Sequence, residues 1–279
     1  MASSLFQRGT AGDGSGVRTM LNKVPEITLY FWVIKILATT VGETAADYLN
    51  STIGIGLTGT TLIMSGFLIL SLIVQFSLRL YVPFVYWLSV VLISVVGTLF
   101  SDNLVDNYGI SLPTTTVAFA IVLAVVFAVW YASERTLSIH SIVTTKREGF
   151  YWLAVLFTFA LGTSAGDLTA ERLSVGYWQS AVLFAALIGA TFIAHVRFGA
   201  NAILTFWIAY ILTRPLGASI GDYLSQPTPD GGLGLGTTVT SIIFLAVILA
   251  VVIYLSITKA DRIERASVRR SRAAESPVG

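Results

Sequence analysis

Phe31-Trp32-Val33-Ile34-Lys35-Ile36-Leu37-Ala38-Thr39-Thr40-Val41-Gly42-Glu43-Thr44-Ala45-Ala46-Asp47 decides how this chain folds. The stretch opens on an aromatic pair, stays apolar for several helical turns and ends in a carboxylate. Its skeleton returns as Tyr86-Trp87 with Gly97 and Asp102, Tyr151-Trp152 with Gly162 and Asp167, and Phe206-Trp207 with Gly217 and Asp222. In every copy Trp to Gly is 10 residues and Gly to Asp is 5. Two spacings held across four hydrophobic segments mark an internal repeat. The copies lie 55, 65 and 55 residues apart, so the chain reads as a duplicated duplication.

Of 279 residues, 55% are hydrophobic and only 11% charged. A soluble domain carries about a quarter charged residues, so this composition belongs in lipid. Cysteine is absent, which excludes disulfides and thiolate metal sites, and neither His140 nor His195 falls in a motif. No bound cofactor is expected, and no nucleic-acid signature is present. Residues 1–22 are Gly/Ser-rich with no apolar core, which predicts a disordered cytoplasmic tail and no signal peptide.

A membrane span needs about 20 apolar residues. Eight segments qualify: 25–48, 56–79, 83–104, 112–133, 149–168, 176–197, 200–223 and 235–258. Each repeat is then a pair of helices with the motif on the first. The repeats cover 23–79, 80–135, 147–198 and 199–258, within one transmembrane domain, 23–258. An even number of spans per repeat makes all four copies parallel, about an axis along the membrane normal. Fourteen of the seventeen Lys and Arg fall on one side, including those of the basic tail 259–279. The positive-inside bias puts both termini in the cytoplasm and the motif Asp residues toward the outer leaflet. The tail from Lys259 is expected to prolong the last helix.

Positions 3, 7, 11 and 15 after each Trp are successive i,i+4 steps and form one stripe. The stripes read Lys35, Thr39, Glu43, Asp47; then Val90, Ser94, Thr98, Asp102; then Val155, Phe159, Thr163, Asp167; and Tyr210, Arg214, Ala218, Asp222. Lipid rejects this face, so the four motif helices are expected inside, in pseudo-fourfold or nested twofold order, with the other four outside. Gly42, Gly97, Gly162 and Gly217 are read as points of close helix approach, and Trp32, Trp87, Trp152 and Trp207 as structural anchors. Buried ionisable groups mark ion pathways or paired charges. The candidate site is therefore Glu43, Asp47, Asp102, Asp167 and Asp222, with Thr39, Thr40, Thr44, Ser94, Thr98, Lys35 and Arg214. The alternative for the four Asp is simple helix termination. Lys35 and Arg214 are each expected to pair across helices, Arg214 with Glu43 or Asp47. Pro215 is expected to kink or break the seventh span, and Thr39 to Gly42 to loosen the first.

Gly162-Thr163-Ser164-Ala165-Gly166 has the G-x-S-x-G spacing, but no strand precedes it and the repeat explains both glycines. Gly166-Asp167 and Gly221-Asp222 are faintly similar to intramembrane aspartyl enzymes. Gly232 to Gly236 lacks the Lys of a phosphate loop.

Across residues 23 to 258 the chain resembles a bacterial integral-membrane family of four tandem two-helix repeats of unknown function, each with a characteristic Trp. Trp32, Trp87, Trp152 and Trp207 carry the likeness, together with the first repeat from Lys23-Val24-Pro25-Glu26 to Asp47. The resemblance implies a bacterial inner-membrane protein and no particular activity. From the residues themselves, the leading expectation is proton-coupled export of a hard divalent cation such as manganese through the carboxylate and hydroxyl site. One alternative is transport of a small anionic or zwitterionic molecule held by Arg214 and Lys35, and another is an aspartyl-type enzyme. Expected partners are membrane lipid and a small solute; a homodimer is allowed but not required.

Overall fold

Four polar side chains open helices where the hydrophobic pattern resumes. Thr28, Ser111, Thr144 and Asn201 each accept a hydrogen bond from a backbone N–H of the following turn. The computed structural model describes residues 23–52 and 54–261. The tails expected at 1–22 and beyond 261 lie outside the described residues.

Among these residues the chain is all-helical, with eight α-helices and no strand. They are α1 (Leu29–Asp47), α2 (Leu57–Ser77), α3 (Pro83–Asp102), α4 (Leu112–Glu134), α5 (Thr145–Asp167), α6 (Tyr177–Phe198), α7 (Ala202–Ser225) and α8 (Thr237–Thr258). Seven of them, α2 to α8, are long and apolar enough to cross a membrane, which makes this a multi-pass membrane protein. The first helix is shorter than the expected 25–48, because Lys23 to Thr28 is not helical and is pinned at both sides. Lys23 N–H donates to Ile142 O at 3.3 Å and Glu26 N–H to Asp261 O at 3.1 Å. The last helix stops at Thr258, where Lys259 turns left-handed (φ 52°), so it is not prolonged across 259–261.

The odd-numbered helices form the buried centre. They touch in a closed cycle, α1 to α3 to α5 to α7 and back to α1. Each outer helix packs chiefly on the motif helix of the next repeat: α2 on α3, α4 on α5, α6 on α7, and α8 on α1. Hydroxyl pairs tie these seams, Ser71 with Ser89 at 2.8 Å and Thr44 with Ser241 at 2.7 Å. The last repeat thereby closes on the first.

The motif glycines explain how closely the inner helices meet. A Cβ on Gly42 would strike Ser94, one on Gly97 would strike Phe159, one on Gly162 Arg214, and one on Gly217 Thr39, all within 3 Å. In every case the obstructing residue stands seven after the Trp of the next repeat. Pro215 does not break α7, which is continuous from Ala202 to Ser225. Its buried ring lies against Gly162 and Gly166 of α5, and this glycine-lined face holds the helix in place. Thr39 to Gly42 likewise sits within continuous α1. The irregular backbone comes instead after the motif Asp residues. Single π-helical turns follow Asp47, Asp102 and Asp167 at Tyr48–Thr52, Asn103–Asn107 and Leu168–Arg172.

Candidate functional site

Because the stripe positions repeat every four residues, the four inner helices stack their side chains in layers along one axis. At one end Phe31, Tyr86, Tyr151 and Phe206 turn inward. Each meets the motif Trp of the next repeat: Phe31 with Trp87 at 5.6 Å between ring centroids, Tyr86 with Trp152 at 5.4 Å, Tyr151 with Trp207 at 6.3 Å, and Phe206 with Trp32 at 5.7 Å. The hydroxyls of Tyr86 and Tyr151 join at 2.5 Å. This aromatic end is filled.

One turn further stand Lys35, Val90, Val155 and Tyr210, all fully buried. The Lys35 ammonium lies 3.9 Å from the Phe159 ring centre and 4.2 Å from that of Tyr210. It has no hydrogen-bond partner among the described residues. The partner expected across the helices is not a carboxylate among the described residues but two aromatic faces, and cation–π attraction offsets part of the cost of burial.

Arg214 dominates the next two layers. It rises from the layer of Thr39, Ser94 and Phe159 into that of Glu43, Thr98 and Thr163, where its own helix offers only Ala218. Its Nη1 donates to Thr39 O at 3.1 Å, and its Nη2 to Glu43 Oε2 at 2.7 Å, Thr163 Oγ1 at 2.7 Å and Thr98 Oγ1. One guanidinium thus ties all four inner helices together. The two threonine hydroxyls point their own protons back to Ser94 O and Phe159 O, which frees their lone pairs for the cation. Glu43 is the expected partner, and the pair is buried on both sides.

The carboxylates gather at the far end. Carboxylate oxygens of Glu43, Asp47 and Asp222 all lie within 4.8 Å of one another, bridging α1 and α7. Asp102 is in electrostatic range of Glu43, Asp167 and Asp47. Asp222 is buried, whereas Asp47, Asp102 and Asp167 are half-buried, so this end is less tightly covered than the aromatic end. Three carboxylate oxygens at that separation suit a hard divalent cation, which takes oxygen ligands. Among the remaining candidates, Thr40 donates to Ile36 O, Thr44 to Thr40 O, and Ser94 packs on Gly42 without a hydrogen bond.

Sequence reasoning left Thr163 out of the candidate set, although it sits on the stripe. It also passed over Glu148. That carboxylate is 1% exposed and holds Lys23 Nζ at 2.6 Å and Gln75 Nε2 at 3.2 Å. The only cue was its place one turn before Tyr151, facing the same way as the aromatic layer. Nearby, burial pushes the Glu26 carboxyl up from its ordinary range, and the charge of His140 opposes this.

One family model matches the chain, described as Repeat of Unknown Function (DUF347). It matches four times, at residues 30–81, 85–136, 150–201 and 205–261. No curated protein and no solved structure matches.

Proposed function

The chain belongs to the family of the DUF347 repeat, and from that premise we propose that it is a secondary transporter that exports a hard divalent cation, such as manganese, in exchange for protons. In this proposal all eight helices span a bacterial inner membrane, α1 included, as four parallel repeats in a pseudo-fourfold ring with nested twofold order. Both termini are cytoplasmic, by the one-sided Lys and Arg. The aromatic end then faces the cytoplasm and is shut, and the carboxylates open toward the outer face.

The observation that carries this function is the convergence of Glu43, Asp47 and Asp222, with Arg214 already bonded to Glu43. Arg214 is an internal cation that a solute must compete with for Glu43. A carboxylate must be deprotonated to hold a metal ion, so cation and protons exclude one another at the same oxygens. Mutual exclusion at one site is the minimum requirement for exchange. Loading of the cation and release of the protons on the cytoplasmic side need the aromatic layers to part, which makes the two ends alternate gates.

Binding of Mn²⁺ to the purified protein tests this, followed by tryptophan fluorescence and calorimetry. Saturable binding that is lost in Asp222→Asn and Asp47→Asn supports it. Equal binding in both variants overturns it. The second reading, a small anionic or zwitterionic solute, is favoured by the Lys35 ammonium, which lacks both carboxylate and hydrogen-bond acceptor. It predicts no metal response and a requirement for Lys35 and Arg214.

A further inference from the structure

Two grooves mark the outer surface, each where an inner helix is left partly uncovered. One lies between α3 and α8, encloses about 210 Å³ and is lined by apolar residues, Phe84, Trp87, Leu88 and Val91 on the α3 side. The other lies between α4 and α7, encloses about 400 Å³ and is lined on α7 by Leu204, Trp207, Ile208 and Ile211. These two sets hold the same register: three before the motif Trp, the Trp itself, one after and four after. One scaffold position therefore occurs twice, with different chemistry at its end.

The larger groove ends at Arg135, Thr136 and Asn201. Arg135 is exposed and makes no ion pair among the described residues. Its neighbour Glu134 is taken by Lys146 at 3.3 Å and Arg147 at 2.8 Å. Asn201 spends its side-chain oxygen on the N–H groups of Ile203 and Leu204, which leaves its NH₂ group as a donor. The positive end of the α7 dipole lies at the same place. A cation and an amide donor thus head a groove whose remaining walls are mostly apolar, a shape with a charged head and an apolar tail. Its volume is in the range of about 300–1,000 Å³ that holds small ligands.

We propose that this groove binds an anionic glycerophospholipid, with its phosphate at Arg135 and Asn201 and an acyl chain along Leu204, Ile208 and Ile211. Charge complementarity selects the occupant. A zwitterionic lipid brings its own cation beside the phosphate, which weakens the net attraction to Arg135. The α3–α8 groove, apolar throughout, takes any acyl chain and distinguishes none. This site does not depend on the transport function.

Native mass spectrometry of the full chain, equilibrated in detergent with equal phosphatidylglycerol and phosphatidylcholine, tests the proposal. The wild type should retain phosphatidylglycerol over phosphatidylcholine. Arg135→Gln should cut that retention about fivefold, the effect of one basic side chain at an anionic lipid surface. Ile208→Trp, which fills the groove, should abolish it, while Leu249→Trp in the α3–α8 groove should leave it unchanged. Arg135, Ile208 and Leu249 are all exposed, so none of these changes endangers folding. Equal retention of the two lipids by the wild type, or wild-type retention in both Arg135→Gln and Ile208→Trp, overturns it.

Discussion

At the aromatic end of the axis the four repeats supply the same kind of side chain four times, whereas in the middle they do not. Phe31, Tyr86, Tyr151 and Phe206 each fill the same gap against the next Trp. Two turns away, Thr39, Ser94, Phe159 and Arg214 occupy equivalent positions and share almost nothing chemically. The uniform layer closes a ring that any four copies could close. The mixed layers place a single Arg, a single Glu and a single Lys on an axis that four identical copies would have given four of each. Duplication built the frame, and divergence between copies built the site.

The largest test of this contrast lies in the Arg214–Glu43 pair. Removing either partner leaves an unpaired charge in the centre, so Glu43→Gln or Arg214→Met alone should cost about 3–5 kcal/mol, read as a loss of Tm in detergent. The double substitution should recover most of that loss, because neither charge then remains. Additive losses would mean that the pair is not the centre of the fold. A smaller effect separates inner from outer helices. A methyl on Gly97 meets the Phe159 and Ala160 backbone within 3.4 Å, so Gly97→Ala should cost about 1–3 kcal/mol. Gly189 on α6 has nothing within 4 Å, and Gly189→Ala should be neutral or slightly stabilising. Similar Tm values for the two would refute the close ring.

Lys35 sharpens the contrast in the opposite direction. Its ammonium is buried without an acceptor, so Lys35→Met should raise the Tm, by about 1 kcal/mol of stability. A fall in Tm would mean that the aromatic faces compensate it fully. The smallest effect belongs to the strap from Lys23 to Thr28. Burial raises the Glu26 carboxyl, so the folded chain holds that proton to higher pH than the unfolded chain does. The associated stability is present at low pH and is lost as the pH rises through the folded value. Glu26→Gln should flatten that slope in Tm against pH, and an unchanged slope would assign it elsewhere.

The repeat, the number of helices and the inward stripe were legible because each follows from a period: helical spacing within a copy, and the Trp, Gly and Asp spacings between copies. The Arg214–Glu43 contact was legible as one of two options, Glu43 or Asp47, since a buried guanidinium calls for a carboxylate and the first stripe carries both. Of the kink or break expected at Pro215, the break does not occur. The Pro215 ring packs on the glycine face of α5, which lies more than 45 residues away in the chain, and local rules do not contain that contact. Lys35 was misread for a related reason. The demand for a counter-ion was clear, but Phe159 and Tyr210 could not be seen to converge on it. The exchange of outer helices between repeats was invisible too, because the pattern marks which faces are apolar and not which neighbour covers them.

The proposed competition between protons and a divalent cation is for the carboxylates of Glu43, Asp47 and Asp222. It is tested most directly in proteoliposomes loaded with a pH-sensitive dye, by adding Mn²⁺ to one side and following proton movement. Exchange at this site gives Mn²⁺-driven proton flux that saturates and disappears in Asp222→Asn. Mn²⁺ entry without proton movement, or equal proton flux in wild type and Asp222→Asn, would contradict it.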